Sequence, residues 1–219
     1  MSKETSAAPT ARSRIRRIAE LADYNQQTLF DILDEAYVCN IAFYDGENSH
    51  CIPTACWRDG SFLYIHGSNG GRLAKALSAG AQVSVAVTHI DGLVLARSAF
   101  NHSMQYRSAV IYGQFEQISG DVEKMAAMDV FMDKIAPGRK HEARPGNAKE
   151  LAATSVLKIA LNEASAKVSK SGPEDKEEDM DLPVWAGVLP LTIVREQLIP
   201  AENGTLPTPQ YVTDWADSR

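Results

Sequence analysis

The chain has 219 residues, 44% of them hydrophobic and 23% charged, enough apolar material for one sizeable buried core. Its net charge of −6, with no basic stripe in the interior, argues against nucleic acid as a main partner, because phosphate neutralisation needs clustered Lys and Arg. No apolar run approaches the roughly 20 residues of a membrane span, and no signal-peptide segment follows the basic N-terminus, so a cytoplasmic protein with no membrane partner is expected.

Residues 1–20, with Arg12, Arg14, Arg16 and Arg17 after a Ser/Ala/Thr/Pro stretch, read as a mobile N-terminal arm. Residues 25–36 place Leu29, Ile32, Leu33 and Ala36 at helical spacing. The texture then turns to β-formers. Strands are expected over 37–44, 51–58 and 62–66, the last two joined by Asp59-Gly60-Ser61, a tight hairpin signature. A short helix over 72–78 stops at Gly80. Residues 83–88 alternate as a strand, a turn is expected at Asp91-Gly92 before strand character resumes at Leu93, and another strand covers 107–118. A helix starts after Gly120-Asp121 and runs towards Ile135, with Met125, Met128 and Met132 as core filler. Two strands, over 155–161 and 164–169, follow a polar loop. Residues 172–181 read as an acidic surface loop, 184–194 as a last apolar segment, and 201–219 as a C-terminal tail. Cys39, Cys51 and Cys56 lack CxxC spacing and read as buried, reduced thiols. Many strands with no βαβ rhythm imply a mainly β fold with α additions: a closed antiparallel barrel forming one domain over 21–200.

Three segments have unusual chemistry. The first is His66-Gly67-Ser68-Asn69-Gly70-Gly71-Arg72, between a strand and a helix. Glycines let the backbone approach a ligand, N–H groups at a helix start favour an anion, and Arg72 offers a fork of donors to phosphate. The plainer reading is an ordinary loop; neither a Walker A motif nor GxGxxG is present. The second, over 96–108, gathers Arg97, Ser98, His102, Ser103, Tyr106, Arg107 and Ser108. The third, over 182–191, holds Trp185, either core packing or a flat wall for a planar ligand. The histidines show no metal-ligand spacing and no GxSxG elbow occurs, so neither a metal site nor a Ser-His-Asp hydrolase is expected.

Together these segments resemble the flavin-nucleotide-binding branch of the pyridoxamine 5′-phosphate oxidase-like family, which includes nitroimidazole-resistance-type proteins. The residues that carry the resemblance are Ile52-Pro53-Thr54-Ala55, Trp57-Arg58-Asp59-Gly60, Leu63-Tyr64-Ile65-His66-Gly67-Ser68 with Arg72, the run 88–100, His102-Ser103-Met104, Tyr106-Arg107-Ser108, Glu163-Ala164-Ser165-Ala166-Lys167, and the run 182–191. They occur in order across 32–191. The resemblance implies an FMN-binding split β-barrel, antiparallel, working as a homodimer with FMN at the subunit interface. On that analogy Pro53, Thr54 and Ala55 run along the isoalloxazine, and His66, Gly67, Ser68, Gly71 and Arg72 hold the ribityl phosphate. His102, Ser103, Tyr106, Arg107 and Ser108 add polar contacts, and Lys167 and Trp185 approach the flavin from the same chain or its partner. Arg107 or Lys167 would stabilise an anionic reduced flavin.

The chain departs from the family pattern at Gly71, where relatives often carry a small hydroxylic residue, and at Asn101, where many carry a second His. The pyridoxal-phosphate-binding set of the true oxidase is incomplete. The function implied is an FMN-dependent oxidoreductase acting on a small-molecule substrate. The alternatives are a non-catalytic flavin or haem carrier, with His66 or His102 as axial ligand, and a reductase using the deazaflavin F420.

Overall fold

The computed structural model describes residues 7–217. In chain order it places β1 (Ala22–Asp23), α1 (Gln26–Glu35), β2 (Val38–Tyr44), β3 (Ser49–Asp59), β4 (Phe62–Ser68), α2 (Arg72–Ser78) and β5 (Val83–Leu95). There follow β6 (Ser103–Gly113), β7 (Glu116–Gln117), α3 (Asp121–Ile135), α4 (Ala148–Ala153), β8 (Thr154–Ala160), β9 (Ala164–Ser169), β10 (Gly187–Pro190) and α5 (Gln210–Asp217). The strands run in the order β1-β9-β6-β5-β2-β3-β4-β8-β7, all pairs antiparallel, with β10 added to β5.

β8 and β9 are joined by residues 161–163, yet they stand near opposite ends of this order. The sheet therefore curls round until its ends meet at that link. The expected closed barrel is in fact split: β8 is already bonded to β4 and β7, and β9 to β6 and β1, so neither has an edge left for the other.

Leu29, Ile32 and Leu33 of α1 plug the barrel, packing with Ile41, Phe43, Val85 and Ile111. Asn25 caps that helix by accepting from the Gln27 N–H at 2.8 Å. A smaller cluster lies on the outer side of the sheet, where Trp57, Ile118, Ala127 and Val156 meet Phe131 of α3. Alternation along β3 explains the pair of environments: Cys56 enters the barrel core and Trp57, its neighbour, goes under α3.

Several sequence expectations change. Asp91-Gly92 makes no turn; β5 runs through it with only a bulge between Ile90 and Gly92. The glycine serves a close approach instead, since a Cβ there would sit 3.0 Å from Val188 Cγ1 and 3.2 Å from the Leu189 carbonyl of β10. The strand expected over 107–118 begins earlier and breaks after Gly113. Cys51 is exposed, on the uncovered face of β3, whereas Cys39 and Cys56 are buried. The acidic segment is anchored: the Asp175 side chain is 2% exposed and accepts the Arg97 N–H at 2.8 Å and its guanidinium at 2.9 Å. The tail carries α5, whose Tyr211 donates to Glu142 at 2.8 Å.

The described part of the N-terminal arm packs down, with Arg12 bonded to Glu163 and Lys167 Nζ donating to the Arg17 carbonyl at 3.0 Å. Residues 1–6 of that arm lie outside the described residues. No described helix is long and apolar enough to cross a membrane.

Candidate functional site

The residues expected to hold a cofactor fall into two groups on the curled sheet. The first surrounds β3, the end of β4 and the start of α2. Pro53 and Ala55 point to the uncovered outer face, while Thr54 pairs with the core residue Cys39 and shares its barrel-side face. A planar ligand lying on this strand would meet the side chains of Pro53 and Ala55 but only the backbone of Thr54.

Ser68, Gly71 and Arg72 are exposed beside it. The Gly71 N–H donates to the Ser68 carbonyl at 3.0 Å, so it is not free for an anion. A Cβ at Gly71 would come 3.2 Å from that same carbonyl, a tight approach that a larger residue would have to relieve by a small shift of the turn. Arg72 Nη1 lies 3.5 Å from His50 Nδ1, and His50 is turned by Asp45, 2.6 Å from its Nε2. Among the described residues Arg72 has no carboxylate partner.

The second group lies on β6, β9 and the protruding end of β5. Tyr106, Ser108 and Lys167 share the outer face, Ser108 pairing with Lys167 across the strands. Arg107 points the other way. It pairs with His89, whose ring bonds the Ile32 carbonyl beneath α1, and it is clamped by two carboxylates. The guanidinium donates to Asp91 at 2.7 and 2.8 Å and to Glu35 at 3.0 Å. Hydrogen bonding to Arg107 holds both carboxyls below their ordinary range, and both hold the guanidinium protonated. Arg107 is thus a strut between α1 and β5, and of the two cations considered for a reduced flavin only Lys167 faces outward.

Beyond the barrel, β5, β6 and β10 form a protruding arm. His102 is exposed, its Nδ1 3.0 Å from the Ser98 carbonyl, and Ser103 opens β6 next to it. Trp185 folds over Gly187 so closely that a Cβ there would be 2.6 Å from the indole. The other indole face is left open, and Trp185 is 69% exposed, with Phe100 on the same arm 96% exposed. β2 and β5 separate β3 from β6, so the two groups are three strand spacings apart, about 14 Å. One chain does not bring them together.

His66 belongs to neither group. It shares a face with Trp57 and Tyr64, its ring 4.7 Å from Phe131 and 5.8 Å from Trp57, and Gly67 is on the opposite face. His66 Nδ1 and Trp57 Nε1 are buried there without a hydrogen-bond partner. Burial lowers the His66 pKa below its ordinary value, leaving the imidazole neutral. Next to this pair is a cavity of about 260 Å³ between α3, α4 and β8, lined by Met125, Met128, Met132, Leu151 and Val156 with Lys124, Lys140 and Arg144. Of the methionines expected as core filler, Met128 does pack against the Trp57 cluster, and all three also border this open space. Nothing in the sequence distinguished the two roles, because both need the same helical spacing.

Residues 25–168 match the family described as pyridoxamine 5′-phosphate oxidase. Among solved structures the chain is similar to the flavocytochrome Anf3 from Azotobacter vinelandii, at 36% identity and TM-score 0.91 over 95% of this chain and 98% of that one. It is also similar to the FAD and haem binding protein from Mycobacterium smegmatis, at 36% identity and TM-score 0.85 over 89% and 96% of the two chains. A putative 5-nitroimidazole antibiotic resistance protein from Bacteroides thetaiotaomicron shares the fold, at 22% identity and TM-score 0.57 over 67% of this chain and 86% of that one. No curated protein matches the chain.

Proposed function

The chain belongs to the pyridoxamine 5′-phosphate oxidase family, and from that premise we propose that it is a flavin-dependent oxidoreductase acting on a small molecule. The flavin is FMN, held between the two subunits of a homodimer. The observation that carries this reading is Arg72: an exposed arginine with no carboxylate partner among the described residues, beside the open strip of β3. A phosphate is the natural counter-charge for such a group. Ser68 and the Arg72 guanidinium take the phosphate, and Pro53 and Ala55 support the ring.

The separation of the two groups is the reason for the dimer. A twofold axis through the uncovered face lays the Trp185 arm and the Ser108/Lys167 face of one subunit over β3 of the other, where Trp185 supplies a flat wall and Lys167 a positive charge. When bound, the flavin supplies the hydride or electron transfer; the protein positions it and keeps water from one face.

FAD is the second form of the same reading, since the mycobacterial relative is named for binding it. Haem alongside flavin is a second reading, favoured by the names of both relatives at 36% identity. Purified protein is expected to be yellow, and mass spectrometry of the released cofactor tells FMN from FAD. Protein that is colourless and takes up neither flavin overturns the proposal. A monomer in sedimentation with flavin bound would remove the partner's arm from the site.

A further inference from the structure

We infer that His50 is a positioning residue of the phosphate site: held by Asp45, its imidazole steadies the Arg72 guanidinium without taking up its charge. That role rests on the reading that Arg72 binds the flavin phosphate, and it brings into the site two residues, Asp45 and His50, that act through Arg72.

An arginine that has to meet an anion has two conflicting needs. Its long side chain should be ordered beforehand, because ordering it on binding costs affinity, and its charge should stay available. A carboxylate meets the first need and defeats the second, as Asp91 and Glu35 do for Arg107. A neutral imidazole accepts from a guanidinium N–H and leaves the charge whole. Arg72 has such a neighbour. Its Nη1 lies 3.5 Å from His50 Nδ1, the outer reach of a hydrogen bond, so the guanidinium is aimed but not trapped. His89 and His102 are placed differently, each with a ring nitrogen at a backbone carbonyl, that of Ile32 and that of Ser98.

The imidazole itself is fixed from two sides. Asp45 Oδ2 is 2.6 Å from its Nε2. The other oxygen of Asp45 accepts the Asn48 N–H at 2.8 Å and the Glu47 N–H at 3.0 Å, which ties the carboxylate to the turn between β2 and β3. The Asn48 N–H and then His50 hold the Asp45 carboxyl well below its ordinary range, so it is ionised and accepts from Nε2–H. A neutral ring with its proton on Nε2 has a bare Nδ1, and the nitrogen facing Arg72 is then an acceptor. On the other side, Phe43, the cross-strand partner of His50, packs against the ring at 5.0 Å. The His50 side chain is 14% exposed, so little freedom is left to it. Arg12, which lines the same hollow, is bonded to Glu163 and does not compete for the ring.

The test titrates the full-length protein, stripped of flavin, with FMN and with riboflavin at about pH 8, above the range in which an imidazole ordinarily takes a proton. Riboflavin lacks the phosphate and so reports the rest of the site. His50→Phe keeps the ring packing and removes both nitrogens. Its FMN affinity is expected to fall about three- to tenfold, the cost of ordering one long side chain, with riboflavin affinity within about twofold of wild type. His50→Asn, whose amide oxygen stands near the place of Nδ1, recovers most of that loss. His50→Gln, which reaches Asp45 but sets no acceptor beside Arg72, gives the same readout where the phenylalanine variant folds poorly. In an Arg72→Ala background His50→Phe has no further effect on FMN, since no guanidinium is left to position. Unchanged FMN affinity in His50→Phe, equal losses for FMN and riboflavin, or an additive loss in the double variant each overturn the inference and leave the reading of Arg72 standing. Wild-type protein that binds neither flavin, or FMN no more tightly than riboflavin, overturns the phosphate reading and the inference together.

Discussion

The turn from β4 into α2 and the middle of β6 each carry an arginine that the sequence led one to expect at a cofactor, and the two arginines differ in what surrounds them. Among the described residues Arg72 is exposed, lies 3.5 Å from the His50 ring and meets no carboxylate. Arg107 is half-buried and makes four charge-assisted hydrogen bonds to Asp91 and Glu35. A guanidinium already neutralised by two carboxylates has little left to offer an anionic ligand, whereas one without a counter-charge keeps its full donor capacity. The lesson is that an arginine's role follows from whether its charge is spent inside the fold.

Four measurements can break or sharpen that contrast. The largest effect is expected for Arg72→Ala, which weakens flavin affinity by about 1.5–3 kcal/mol with the melting temperature of the flavin-free protein unchanged; fluorescence titration with FMN reads it. Next comes Arg107→Ala, which should lower stability by about 1 kcal/mol, roughly 2–4 °C in Tm for a chain of this size, while flavin affinity stays within about threefold of wild type. Arg107→Lys should recover little, because a point charge cannot serve two carboxylates with a planar fork. A large loss of flavin affinity in either Arg107 variant at constant fold would erase the distinction between the two arginines.

Gly92→Ala tests the arm that is proposed to reach the partner. The added Cβ meets Val188 and the Leu189 carbonyl, so β10 loosens at a loss of about 1 kcal/mol, read by faster amide exchange at Val188 and Leu189.

The smallest effect is in acid. Glu35 and Asp91 have ordinary values of 4.5 and 3.8, and Arg107 depresses both in the folded state. The unfolded chain therefore takes up protons first as the pH falls. The stabilisation is complete above about pH 5 and is lost as pH drops through the folded values. Both groups are partly exposed, so the contribution is at most about 1 kcal/mol. Denaturant melts from pH 6 to 3 should show a shallower decline in Arg107→Ala than in wild type.

Much of the fold could be read locally. The bounds of α2 and β9 coincide with the sequence expectation, and those of α1 and α3 nearly so, because caps, breakers and apolar spacing act within a few residues. The same kind of signal misread Asp91-Gly92. A glycine that permits a turn and a glycine that lets another strand pass close look alike until β10, almost a hundred residues on, is seen lying over it. Helix α5 was hidden in a tail whose eight residues carry no clear cap, and its docking depends on Tyr211 reaching Glu142, 69 positions away.

By itself, then, the amino-acid sequence determined an antiparallel, β-rich single domain of the pyridoxamine 5′-phosphate oxidase type, and the turn that carries Arg72. Alternation stated that Arg107 and Ser108 oppose each other, and that His66 and Gly67 do. It did not state which side of the sheet is roofed by a helix. Only the tertiary structure decided that Arg107 looks inward to Glu35, 72 positions away, that His66 lies under α3 and not along the phosphate turn, and that the methionines of α3 border a cavity. The physical reason is range. Periodicity and capping are written in neighbours along the chain, whereas the neutralisation of a charge and the covering of a face depend on residues that only the curled sheet brings near.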